Sequence, residues 1–393
     1  MPDFAFPREL LDQPPEVRLG YFKSFTIAHP LLKVADAALK QAIREPAGWS
    51  LIFVYGPTGV GKTTLRRRAE KHLTESMMET LRQDPGIIPV VSIEAAAPDS
   101  SQFSWKDYYR RALMALDEPL IDWKMTDQVR NLFRDGCSRA LRGSRVPGLE
   151  LRMALEGALI HRRPAAFFID EAQHLAKMMS GRKLQDQLDS IKSLASLANT
   201  VHVLIGTYEL LPFRNLSAQW SRRSIDIHFP RYHAEISEDY TAFRNAVFTL
   251  QRHLPLSGES DLLPHIEYCY ERSIGCVGLV KDWLTRALAF ALNQGAHTVN
   301  LKMLERTAWS LDQSERMASE AVDGESEVAE KGQKRDRLKQ LLQVAVTTSS
   351  AMPALPCTNP PPPQRRPRVG QRKPVRDLVG VNRGGTNARS CHI

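Results

Sequence analysis

No apolar run in this chain reaches the roughly 18 residues that a membrane-spanning helix needs, so a membrane protein is not expected. The opening residues, Met1-Pro2-Asp3-Phe4-Ala5-Phe6-Pro7, lack a basic stretch followed by an apolar core, which argues against a secretory leader. Cysteine is scarce and scattered: Cys137, Cys269, Cys276, Cys357 and Cys391 form no metal-type C-x-x-C pair and read as reduced thiols of a cytoplasmic protein. No internal repeat is visible. Acid is nearly missing from the last stretch: from residue 351 onward eight basic residues face the single acid Asp377. That stretch carries +7 of the chain's formal +9, which leaves +2 for residues 1–350. The basic balance therefore describes a tail, and nucleic-acid binding by the remainder needs local evidence.

What remains is an ordinary globular composition, 42% hydrophobic and 25% charged, over 393 residues, enough for more than one domain. Apolar runs at 50–55, 88–95, 165–170, 201–206 and 225–229 read as strands. Amphipathic stretches at 62–82, 104–116, 126–142, 150–161 and 184–198 read as helices. Their alternation predicts an α/β core with a parallel sheet flanked by helices. Residues 1–49, with a helix from Leu31 to Ile43, are expected to pack on that core, which spans 50–232. After Pro230 the strands cease, and helices at 237–253, 260–273, 277–293 and 301–316 predict a small all-α lid domain over 233–317. From 318 to 393 the chain is polar, then Pro-rich through Pro360-Pro361-Pro362-Pro363, and is expected to be a disordered basic tail.

The most specific pattern is Gly56-Pro57-Thr58-Gly59-Val60-Gly61-Lys62-Thr63, which meets G-x-x-x-x-G-K-[ST] at every fixed position. It lies between the apolar run Leu51–Tyr55 and the helical run Thr64-Leu65-Arg66-Arg67-Arg68. Glycines let successive backbone N–H groups turn inward around a triphosphate, and the helix N-terminus adds its partial positive charge. Lys62 is expected on the β- and γ-phosphates of ATP and the Thr63 hydroxyl on Mg²⁺, with Thr64 completing the cradle. A second run, Ala165 to His174, ends in the adjacent carboxylates Asp170 and Glu171. At the carboxyl end of a buried parallel strand, Asp170 is expected to hold Mg²⁺ or its water, and Glu171 to polarise the attacking water. The strand Val201–Gly206 ends at Thr207, whose hydroxyl can touch the γ-phosphate or water, or can simply cap the next helix.

Two stretches mix bases with what nucleic acid requires. Trp105-Lys106-Asp107-Tyr108-Tyr109-Arg110-Arg111 interleaves aromatics and cations, and 122–148 carries six basic residues, Lys124 among them, against three acids. Lys106 and Lys124 are the candidate contacts; solvated helix faces are the alternative.

Phe22 to Leu32, Tyr55 to Leu65, Phe168 to His174, Gly206-Thr207, Leu216 to Tyr232 and Gly275 to Lys281 together resemble the AAA+ ATPases. Within them the chain is similar to the TniB and TnsC transposition regulators, over roughly residues 15–310. The resemblance implies an ATPase that assembles as a ring or helical filament of copies of itself on double-stranded target DNA. It implies recruitment of a transposase, in many cases with a TniQ-type targeting protein, and disassembly on hydrolysis. It also implies that Arg222 or Arg223 projects into a neighbouring subunit's site to stabilise developing γ-phosphate charge, a solvated or DNA-facing basic pair being the alternative. Lys281, where many such ATPases carry arginine, is expected to reach back toward the phosphates, with a purely structural helix start as the alternative. An IstB-like protein or helicase loader, and a signalling ATPase that does not bind DNA, are the alternatives.

Overall fold

The computed structural model describes residues 5–97, 103–121, 148–175, 182–214, 224–329 and 341–342, without the side chains of 182–188 and 213–214. Among them lie five strands: β1 (Leu51–Tyr55), β2 (Val90–Glu94), β3 (Ala166–Asp170), β4 (Val201–Gly206) and β5 (Ser224–His228). The sheet runs β2-β3-β4-β1-β5 with every pair parallel. β1, β3 and β4 are buried at every residue, which is why their sequences are unbroken apolar runs with no alternation. Parallel pairing puts all carboxyl ends on one edge. With Tyr55 level with Gly206 and Ile169 with Leu204, the segments after β1, β4 and β3 emerge side by side.

Helices cover both faces. α1 (Pro15–Ser24) and α2 (Pro30–Arg44) precede β1, and α3 (Lys62–Ser76) follows it, with a short α4 (Met78–Gln83) after a break at Met77. α5 (Trp105–Ala115), its first turn capped by Ser104 Oγ accepting the Asp107 N–H at 3.2 Å, stands between β2 and α6 (Gly148–Arg162). α7 (Arg182–Ala198) and α8 (Leu211–Arg214) flank β4. One apolar cluster joins α5, α6 and α7 to a sheet face through Tyr108, Leu113, Leu155 and Phe167. A second joins α2 and α3 to the other face through Leu39, Leu65, Phe168 and Val203. The strands thus fall where the sequence put them, to within two residues at each end; the expected helix at 126–142 lies outside the described residues.

Beyond β5 the chain is helical: α9 (Ser237–Arg252), α10 (Ile266–Ser273), α11 (Val277–Asn293), α12 (Leu301–Thr307) and α13 (Leu311–Ala329). A third cluster, built on Phe243, Leu250, Trp283 and Leu288, holds α9 to α12 together. Phe22 of α1 is wholly buried in it. Residues 1–49 were expected to pack on the α/β core, and here they divide: α2 packs on the sheet, while α1 joins the helical region. Arg18 of α1 adds a bond from Nε to the Pro255 carbonyl at 2.8 Å.

A second correction concerns residues 318–329, expected in the disordered tail. They continue α13, because Met317, Ala318, Ala321 and Val328 recur at helical spacing and pack against the core clusters. The polar face of the same helix had dominated its composition. The expected helix 301–316 is broken at 308–310, where Ser310 Oγ accepts the Gln313 N–H at 3.2 Å and starts a new helix. The chain divides into two compact units, Met1–Lys334 and Arg335–Ile393, and all of the strands and helices just named belong to the first.

Candidate functional site

The segment Gly56–Gly61 turns from the end of β1 into α3. Gly61 caps α3 with φ 112°, and Gly59 stands at φ 76°, conformations that side chains resist. Gly59 also lies under α11: a Cβ on Gly278 would stand 2.3 Å from the Gly59 carbonyl oxygen. Pro57 and Val60 complete the turn, with Val60 buried beneath it, while Thr58 and Thr63 are exposed and Thr64 is half-buried. Lys62 is 8% exposed, and its Nζ donates to the carbonyls of Gly56 at 3.0 Å and Pro57 at 2.8 Å. Burial pushes its pKa down to about 8, against the opposing pull of the Glu171 carboxylate and, more weakly, Cys276 and Asp170. An ammonium held by two neutral carbonyls, in a cradle closed by glycines, fits an anionic ligand with oxygens to offer.

The carboxylates face it from the end of β3. Asp170 Oδ1 accepts the Glu171 N–H at 3.0 Å, and Oδ2 accepts from Arg66 Nε at 3.0 Å. Arg66, one turn after Lys62 on α3, also donates to Glu70 and to Ser92 Oγ on β2. It therefore ties α3, β2 and β3 together beneath the site. Each Asp170 oxygen keeps a lone pair free, so Asp170 and the exposed Thr63 hydroxyl suit a hard cation such as Mg²⁺. Glu171 has φ 52° and accepts from Gln173 Nε2, while Gln173 Oε1 accepts the Thr207 N–H at 3.3 Å. Thr207 precedes the turn Tyr208–Leu210, but its hydroxyl makes no capping bond there.

Other expected residues fall elsewhere. Lys281 Nζ donates to the Lys23 carbonyl at 2.8 Å, so a phosphate contact would require it to leave that bond. Arg222, Arg223 and Lys124 lie outside the described residues. Lys106 is half-buried near the start of α5. The aromatics beside it do not present themselves to nucleic acid: Tyr108 and Tyr109 are buried, and Trp105 packs edge-on to Tyr108 at 5.3 Å. Arg111 is paired with Asp107 at 2.6 Å. The aromatic half of that interleaving is core packing, with Tyr108 and Tyr109 turned into the apolar cluster.

Sequence reasoning missed Arg66 and Gln173, although both stand at telling offsets, four residues after Lys62 and two after Glu171. It also missed Glu325 on α13, which pairs with Arg231 at 3.0 Å just past β5, and no local pattern announces that contact. A groove of about 780 Å³ runs between Phe25–Pro30 and α9, and none of its lining residues belongs to the loop or the strand ends just described. Among the described residues no group of three or more His, Cys, Asp and Glu is placed to hold a metal by itself. Nor is any helix there long and apolar enough to cross a membrane.

Residues 47–213 match the family described as an AAA domain. No curated protein matches the chain. Among solved structures, the ORC2 protein of Aeropyrum pernix in its ADP form is 14% identical with TM-score 0.47, covering 73% of this chain and 71% of that one. The ORC1 protein of Aeropyrum pernix in complex with DNA is 17% identical with TM-score 0.48, covering 75% and 68%. Domain III of the Thermotoga maritima replication initiation protein DnaA is 15% identical with TM-score 0.37, covering 73% and 94%. Likeness at this level says nothing about what this chain binds. The AAA domain match, the parallel sheet, the glycine loop between β1 and α3 and the helical region after β5 together make this an AAA+ P-loop fold.

Proposed function

We propose that the chain binds ATP on the Gly56–Thr64 segment, hydrolyses it to ADP and phosphate, and uses its nucleotide state to govern assembly on duplex DNA. The observation that supports the nucleotide half is the convergence of Lys62, Asp170, Glu171 and Thr207 from three adjacent parallel strand ends. Lys62 would exchange its two carbonyl partners for β- and γ-phosphate oxygens, gaining charge-assisted bonds roughly twice as strong as neutral ones. Glu171 would take the proton of the water that attacks the γ-phosphorus, as the bond to the bridging oxygen of ADP breaks. Thr63 and Asp170 would hold Mg²⁺, which when bound neutralises charge between the β- and γ-phosphates.

The DNA half rests on the segments that resemble TniB and TnsC, and the finer reading is a cytoplasmic transposition regulator. On that reading copies of the chain stack on target DNA, Arg222 or Arg223 completes a neighbour's site, Lys281 acts from the 233–317 lid, and a transposase with a TniQ-type partner is recruited. Nucleotide held between subunits makes assembly depend on its state. The test is binding to a duplex at moderate salt, with and without a non-hydrolysable ATP analogue, for the wild type and Lys62→Ala. Binding that needs the analogue and disappears in Lys62→Ala is the expected result. Equal binding under all conditions would reduce the DNA contact to the unspecific attraction of a basic chain. Co-purification with a replicative helicase in place of a transposase would favour the loader alternative.

A further inference from the structure

We propose that Gln173 is a positioning residue for Glu171, a role that rests on the hydrolytic reading of the site. Gln173 is 5% exposed, and both ends of its amide are engaged across the gap between β3 and β4. Its Oε1 accepts the backbone N–H of Thr207 at 3.3 Å, and its Nε2 donates to Oε2 of Glu171. The assignment of the two amide ends comes from the partners. A backbone N–H can only donate and a carboxylate can only accept, so oxygen faces Thr207 and nitrogen faces Glu171. One planar group thus ties the carboxylate to the residue that directly follows a wholly buried strand.

Glu171 needs such support. Its φ of 52° is unusual for a residue with a side chain, so its backbone is held by the surroundings against its own preference. Its carboxylate lies near enough to Lys62 for its charge to be felt there, and with Oε2 held by Gln173 the proposal leaves Oε1 to receive a proton. A glutamate carries several rotatable bonds, and holding it in one geometry before the water arrives is the pre-organisation that fast proton transfer requires. Room for the amide is built into β4 as well. A Cβ on Gly206 would stand 2.3 Å from Gln173 Oε1 and 2.9 Å from Leu210 Cδ1. Alanine at 206 would therefore displace the amide without touching Glu171.

Phosphate release, affinity for a non-hydrolysable ATP analogue and Tm are measured on the full chain. The variants are Gln173→Met, Gly206→Ala, Glu171→Gln and the double variant Gln173→Met/Glu171→Gln. Gln173→Met and Gly206→Ala are each expected to lower kcat by about ten- to a hundredfold, the range that misplacing a reacting group costs. Affinity should stay within about twofold, because the ground-state contacts are untouched. In the Glu171→Gln background, Gln173→Met should remove nothing further from the residual single-turnover rate, since the amide acts through the carboxylate. An unchanged or raised kcat in Gln173→Met, or an equal loss in both backgrounds, would overturn the proposal. Gly206→Ala gives the same decision if Gln173→Met does not fold. Wild-type turnover by Glu171→Gln would instead overturn the hydrolytic reading beneath it.

Discussion

Replacing Gly278 by alanine perturbs the nucleotide loop from outside, without altering any residue of the loop. The new Cβ would stand 2.3 Å from the Gly59 carbonyl oxygen and 3.1 Å from its carbon. Ordinary contacts are at roughly 3.5 Å, so α11 and the loop must part by about 1 Å. Neither side can rotate away, because the obstacle is backbone. Overpacking of this kind costs about 1–3 kcal/mol, offset by up to about 1 kcal/mol for alanine over glycine near a helix start. A net cost of about 1–2 kcal/mol, spent in displacing the loop proposed to hold the phosphates, should weaken nucleotide binding by about 5- to 30-fold. The assay is titration with a fluorescent ATP analogue, paired with thermal unfolding. Gly157→Ala in α6 is the matched control: nothing lies within 4 Å of its added Cβ, so Tm should hold or rise slightly. Wild-type affinity and Tm in Gly278→Ala would refute the idea that α11 clamps the loop.

The depressed pKa of Lys62 predicts proton uptake on ligation. For a base whose folded pKa lies below its unfolded one, burial opposes charge fully at neutral pH, and stability rises as pH climbs from about 8 toward the ordinary lysine range. Phosphates restore the charge, so binding ATP at pH 8 should take up about half a proton, read by calorimetry in buffers of different ionisation enthalpy. Lys62→Arg, charged throughout, should take up none, and equal uptake by both would assign the proton elsewhere. Glu325→Ala should take from the half-buried Arg231 guanidinium its carboxylate partner, leaving it the Tyr270 hydroxyl and the Ile274 carbonyl, costing about 1–3 kcal/mol and exposing α13 to protease. Unchanged Tm and cleavage would mean that α13 is held by its apolar face alone.

The strands and the candidate site were legible in the sequence for a common reason. A parallel sheet buried on both faces demands unbroken apolar runs, and a phosphate loop demands glycine and lysine at fixed offsets, so Leu51–Tyr55, Lys62 and Asp170-Glu171 announce themselves locally. What escaped depends on partners distant in sequence. Glu325 finds Arg231 across 94 residues, and Gly324 is required because a Cβ there would meet the Tyr208 ring at 2.1 Å. The Trp105–Arg111 aromatics misled for the converse reason. Their alternation with cations fits an amphipathic helix as well as a nucleic-acid surface, and only the packing of α5 on β2 and α6 separates the two. Gln173 was visible as a residue but not as a bridge, because its second partner follows another strand.

The central claim is that Lys62 holds the nucleotide while Glu171 serves only its cleavage. It is tested most directly by measuring ATP binding and phosphate release side by side for the wild type, Lys62→Ala and Glu171→Gln. The account predicts that Lys62→Ala loses binding, whereas Glu171→Gln keeps wild-type affinity and releases phosphate at no more than about a hundredth of the wild-type rate. Full phosphate release by Glu171→Gln, or undiminished ATP binding by Lys62→Ala, would contradict it.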